Sequence, residues 1–414
     1  MRLTRLIIII AAMLVGGCQT FPPAQQEVDL AIRDVTVIDP ESRRVSQHQT
    51  VYVDDGRIVD ISNARTRQLI TGSATVNGTG HFLIPGLIDM HVHLFLPTDP
   101  TPSLNLLLSN GVTSIREMSS DCWALAGSKT GCIGEYRKLQ SAIRQGQVVG
   151  PDLSALTSTM VMGPTRLSLP KDVPSFVTPV TETEGRLLVR HLATRGVDLV
   201  KTHDSIPERA FLAMMEEARR TGIGVAGHVP FAAGSLGAAR TGYRSIEHAR
   251  DLLYDCSAYG PTYRKKEAAF SDRVPGAQRP SSIERLTRTV NEFDAARCSE
   301  LLRQLAATNV FYVPTHVTRE MEARAADLDY RADPARRFVP REQNKRWEAD
   351  LTQTAAKPEP ERAALRRFFE QGLRITALAH RNGIPIMAGT DANDTMIVPG
   401  LACTVSSHCC APLD

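Results

Sequence analysis

Two histidines separated by a single residue, His91-Val92-His93, close an apolar run that begins Phe82-Leu83-Ile84-Pro85-Gly86-Leu87-Ile88. On a β-strand, side chains two apart leave the same face, so both imidazoles address one point. Neutral imidazole is a common ligand for divalent metals, and such a pair at a strand end is half of a metal centre. Lys201 closes a second run, Val197-Asp198-Leu199-Val200-Lys201. An ammonium is costly in such a place, and burial moves the amine toward its neutral, nucleophilic form. That amine can add CO2, and the carbamate would offer two oxygens to bridge two metals. A lysine that reaches out to solvent is the alternative reading. His228, in Gly227-His228-Val229-Pro230, and His248, after Ile246-Glu247, end two further runs; taken singly, each is more often a core or surface histidine. Asp391, in Ala388-Gly389-Thr390-Asp391, ends the last run, where a carboxylate can bind metal and also accept a proton from water.

These side chains must be carried by elements that converge. From Val28 to Phe82, short β-rich runs alternate with turn signals such as Asp55-Gly56, which predicts a small antiparallel β-unit. After Gly80 the pattern becomes strands alternating with helical stretches, the signature of βα units around a parallel sheet. Candidate strands fall at 84–94, 112–118, 148–157, 197–203, 224–228, 244–248, 310–316 and 384–391. Eight is the number that closes a (β/α)8 barrel, whose chemistry sits at the C-terminal ends of its strands. Phe211, Met214, Met215 and Ala218 keep helical spacing and stop at Gly222; Leu365, Phe368, Phe369 and Leu373 do the same before Gly383. The polar segment Ser257 to Glu292 reads as a loop over the catalytic face.

Composition narrows the function classes. With 414 residues, 42% hydrophobic and 22% charged, the chain is long enough for one large core and a small accessory unit. A net charge of +3 and the lack of basic runs give no footing to nucleic acid, so the expected partner is a small-molecule substrate. No Gly-x-Ser-x-Gly elbow is present to support a serine hydrolase.

Taken in order, Pro85-Gly86-Leu87-Ile88-Asp89 with His91 and His93, Lys201, Gly227-His228, Glu247-His248 and Gly389-Thr390-Asp391 resemble the amidohydrolase superfamily over about Val28 to Gly400. Within it the pattern looks closest to the imidazolonepropionase-like and prolidase-like branch, whose members cleave dipeptides or cyclic amides. The resemblance implies an α/β fold, a (β/α)8 TIM barrel over residues 83–400 with a small β-sandwich-like domain over 28–82. It implies two divalent metal ions, zinc by preference, with His91, His93 and Asp391 on the more buried one, His228 and His248 on the other, and carboxylated Lys201 between them. A shared hydroxide would attack a carbon-nitrogen bond, with Asp391 carrying the proton. His203 and His316 are candidate substrate contacts, as are Tyr243, Tyr254 and Arg250 for a substrate carboxylate. His48, His81, His191, His380 and His408 receive no role.

Both ends carry signals of their own. Met1 to Cys18 has Arg2, Arg5 and an apolar run from Leu6 to Val15, shorter than the about 20 residues of a membrane span. It reads as an export signal, and Val15-Gly16-Gly17-Cys18 resembles a lipobox that would lipidate Cys18; cleavage without lipid is the alternative. The expected location is therefore the periplasmic face of the outer membrane, held only by a lipid anchor with residues 19–27 as tether, or the periplasm. Export permits disulfides, for which Cys122 with Cys132 and Cys256 with Cys298 are candidates beside free buried thiols. At the other end, residues 401–414 carry three cysteines and no helical stripe. They read as an aberrant tail left by a frameshift or early stop, which would leave the β-unit incomplete; a naturally short variant is the alternative. A truncated, non-catalytic lipoprotein with a vestigial site is the competing functional reading.

Overall fold

The computed structural model describes residues 26–63, 70–94, 99–122, 132–163 and 177–402. The leader with Cys18 and the tail from Cys403 lie outside them. The chain forms two compact units, one running to Pro85 and the other beginning at Gly86.

In the first unit, β1 (Gln26–Asp39), β2 (Arg44–Asp54) and β3 (Arg57–Asn63) form an antiparallel meander. The β2–β3 turn at Asp55-Gly56 takes left-handed angles at both residues, φ 47° and 68°, the geometry that two-residue hairpins favour. Val28, Ala31 and Tyr52 pack into a small core. The expectation of an antiparallel unit holds only for these strands. β4 (Ile70–Asn77) and β5 (Phe82–Leu83) both run parallel to β1. The sheet order β3-β2-β1-β4 explains this: after β3 the chain crosses to the far side of β1 and returns in the same direction. Gly72 is required there, because a Cβ would lie 2.6 Å from the Ala31 nitrogen.

The second unit alternates strand and helix. Its strands are β6 (Leu87–Val92), β7 (Val112–Glu117), β8 (Asp152–Leu156), β9 (Leu199–Thr202), β10 (Gly224–Gly227), β11 (Ser245–Glu247) and β12 (Phe311–Val313). β6-β7-β8 and β9-β10-β11-β12 form two parallel sheets. Single bridges join them: Thr157 to Leu199, Tyr312 to Ile386, and Ala392 back to Val92. Backbone pairing therefore passes through eight segments and returns to its start. The eighth, residues 384–391, is bridged rather than a regular strand as expected. Pro385 has no N–H to give a ladder, and Asp391 turns to a left-handed φ of 66°. Its remaining donors still close the circuit, Met387 to the Tyr312 carbonyl and Asp391 to the His91 carbonyl at 2.7 Å.

Helices between the strands bury the apolar stripes legible in the sequence. The helix Glu208–Thr221 buries Phe211, Met214, Met215 and Ala218 and ends at Gly222, φ 77°. The helix Glu359–Arg381 buries Leu365 and Phe368. The segment after β11 is mostly helical, not the loop expected. Gly260–Ser271 carries Pro261 in its first turn, and Ser282–Asn291 is capped by the Ser281 side chain, which accepts from the Glu284 N–H. Polar composition concealed them, because their buried faces are carried by residues such as Tyr263, Glu267 and Thr289 as well as by Leu286.

Both candidate cysteine pairs are bridged, Cys122–Cys132 and Cys256–Cys298. The second closes 42 residues of chain around these helices, restricting the unfolded state. Replacing both Cys256 and Cys298 with serine is expected to lower the unfolding free energy by about 2–4 kcal/mol in denaturant titrations, and a reductant should have little further effect through that bridge.

Candidate active site

Position, tautomer and charge of the His91 ring are set by three strands. Its Nδ1 donates to Glu247 Oε2 at 2.8 Å, and Arg116 Nη2 donates to the other Glu247 oxygen at 2.7 Å. Burial alone would raise the Glu247 pKa; the Arg116 charge and the His91 hydrogen bond overcome that and hold it at about 2. An ionised acceptor on Nδ1 leaves the Nε2 lone pair free for a ligand. Asp89 clamps the first segment to the eighth. Its oxygens accept from the Thr390 hydroxyl at 2.6 Å, the Thr390 N–H and the His91 N–H.

Inside this frame the expected ligands converge. Asp391 Oδ1 lies 3.4 Å from His91 Nε2 and 3.1 Å from His93 Nε2. The donor atoms of these three residues all fall within 4.8 Å of one another. Burial pushes both imidazoles below their ordinary range, His93 to about 4, so they present lone pairs rather than charge at neutral pH. Burial would raise Asp391, but His91 leads a set of neighbours that hold its carboxyl well below the usual range. Lys201 Nζ sits 3.2 Å from His91 Nε2 and 3.4 Å from His93 Nε2, and burial lowers its pKa.

The His228 side is built differently. The His248 ring lies 4.8 Å from that of His91 and 4.5 Å from that of His228. His248 Nδ1 is 2.7 Å from the Thr315 hydroxyl, while its buried Nε2 has no hydrogen-bond partner among the described residues, as a nitrogen awaiting a ligand would. His228 instead receives a hydrogen bond at Nδ1 from Arg250, which also donates to Asp204 Oδ2 at 3.2 Å. The His203 ring lies against His228, centroids 4.3 Å apart, with Nδ1 2.6 Å from Asp204 Oδ1.

A cavity of ≈ 250 Å³ is lined by Lys201, His228, His248, Arg250 and Asp391, among others. A larger one, ≈ 780 Å³, lies against Phe231, Asp255 and Arg297 and contains none of the expected ligands. His316 lines neither cavity; it is buried with Nε2 2.7 Å from the Thr376 hydroxyl, because the chain enters the helix His316–Arg324 at that point. Of the candidate carboxylate contacts, Arg250 lines the smaller cavity. Tyr243 is spent on Thr202 and the His228 carbonyl, and Tyr254 accepts from Arg285. Arg116, Glu247, Asp89 and Thr315 were not singled out by sequence reading. Glu247 had one signal, its place beside His248 in the motif, and Arg116 had none.

No family model matches the chain. Adenine deaminase 2 of Shouchella clausii is 34% identical over 90 residues, 21% of this chain and 15% of that protein. A dihydroorotase of Streptococcus pneumoniae is 38% identical over 68 residues, 16% and 15% of the two chains. The matched stretch is thus under a fifth of either relative. Solved structures match far more of the molecule. Bottromycin amidohydrolase superposes with a TM-score of 0.62 at 20% identity, covering 92% of this chain and 72% of that one. The chain shares the fold of the amidohydrolases. A putative prolidase from Bifidobacterium longum gives 0.58 at 18% identity, covering 91% and 76%.

The amidohydrolase-like frame depends on the buried Glu247 charge. Glu247→Gln removes the charge opposite buried Arg116 and frees the His91 tautomer, so it should cost about 3–5 kcal/mol in denaturant unfolding. Metal bound per folded chain should fall with it in elemental analysis.

Proposed function

We propose that the chain is a metal-dependent amidohydrolase on a (β/α)8 barrel, hydrolysing a carbon-nitrogen bond of a small substrate such as a dipeptide or cyclic amide. One observation carries the reading: Asp391 Oδ1 meets the Nε2 atoms of His91 and His93 at 3.1–3.4 Å inside a buried frame. Three neutral or anionic donors converging at the small cavity, with the unsatisfied His248 Nε2 beside them, fit a divalent cation. When bound, such an ion lowers the pKa of water toward neutrality and polarises a carbonyl.

The chain's own residues supply the rest. His91 and His93 stay neutral, and Glu247 keeps the His91 Nε2 lone pair directed inward. Asp391, ionised at neutral pH, accepts the proton of the attacking water and passes it to the leaving nitrogen. The Lys201 amine, moved toward neutrality by burial, attacks CO2: the N–C bond forms as one C=O π bond opens onto oxygen, the nitrogen's proton passes to solvent water, and the carbamate provides anionic oxygens. The leader ending at Cys18 supports export and a lipid anchor at the periplasmic face of the outer membrane. The two disulfides suit such an oxidising compartment.

A dipeptide library with N-acyl amino acids and lactones tests the activity, and hydrolysis of none by the metal-loaded protein would favour the non-catalytic reading. Asp391→Asn should lower turnover by about 10²–10⁴ with much of the metal retained; activity near the parent level would remove its role. Lys201→Ala should abolish the added mass of one CO2 in intact-protein mass spectrometry and lower metal content.

A further inference from the structure

Lys201, Arg250 and Arg319 all line the small cavity, and of these three basic residues only the lysine can become neutral. An amine sheds its proton when buried; a guanidinium stays charged in any folded protein. Arg250 opens the helix Arg250–Asp255 two residues after His248, so the backbone delivers it to the site. Its Nη2 donates to His228 Nδ1 and to Asp204 Oδ2, and His203 Nδ1 lies 2.6 Å from the other Asp204 oxygen. Without the arginine this cluster would look like a metal site, since His203, Asp204 and His228 bring ligand-type atoms within 4.8 Å of one another.

We infer that Arg250 replaces the second cation: the centre takes one divalent ion, on the His91, His93 and Asp391 side, and the Arg250 guanidinium is the fixed positive charge on the His228 side. With Nδ1 accepting from Arg250, a neutral His228 carries its hydrogen on Nε2 and has no lone pair left to ligate. Moving the hydrogen to Nδ1 would face it against the guanidinium. A divalent ion there would also stand beside a charge that cannot be discharged. This rests on the metal-dependent reading for the His91 side and changes the number of ions, not the need for one.

The test is zinc per chain by elemental analysis of the full-length protein, loaded with excess zinc and dialysed, with folding checked by circular dichroism. The parent should hold about one ion, Arg250→Met should rise toward two as the cluster opens, and His228→Asn should leave the parent value unchanged. About two ions in the parent, a halved content in His228→Asn, or no gain in folded Arg250→Met would overturn the inference while leaving a metal-dependent enzyme. No zinc at all would overturn both. Should Arg250→Met fail to fold, the parent and His228→Asn values decide alone.

Discussion

A carboxylate removed from water must be paired, and at Glu247 that requirement organises the centre of the molecule. Arg116 from β7 supplies the opposite charge, and His91 from β6 supplies a hydrogen bond on the other oxygen. Three strands are thereby held at one depth, and one ring nitrogen is left directed inward. The geometry that brings Asp391 within 3.4 Å of that nitrogen depends on this pairing and on the Asp89 clamp to Thr390. Both hold His91 from behind, one at its Nδ1 and one at its backbone N–H, and so decide where its Nε2 lies.

Burial acts on every charged group in this space, with a different outcome for each. Imidazoles respond by staying neutral, which makes them ligands. The Lys201 amine is moved the same way, which makes it a nucleophile. Asp391 is held below the usual carboxylate range in spite of burial, and Arg250 keeps its charge because guanidinium has no alternative. The two halves of the site are therefore unlike: one gathers His91, His93, Asp391 and the Lys201 amine, while on the other Arg250 stands against His228.

Much of this was legible in the residues. His91 and His93 could be placed because strand alternation has period two, and the helical stripes at Phe211 and Leu365 because burial follows the helix period. The strands of the second unit were placed to within a few residues, their ends overestimated because flanking apolar residues continue past the hydrogen-bonded ladder. The parallel course of β4 was not legible, since strand direction depends on where the chain crosses and not on alternation. Nor were the helices at 260–271 and 282–291, whose buried faces are partly polar. Arg116 was not singled out, and Arg250 was named only as a candidate carboxylate contact, for a common reason: their pairings with Glu247 and His228 lie 131 and 22 positions away in sequence. No local pattern marks such a pair.

Anomalous diffraction from zinc-loaded crystals addresses the central claim most directly. A peak bound by His91, His93 and Asp391, at roughly 2.0–2.2 Å from each ligand atom, is the predicted result. A density map with those three side chains free of metal, or zinc held only elsewhere on the chain, would contradict the account.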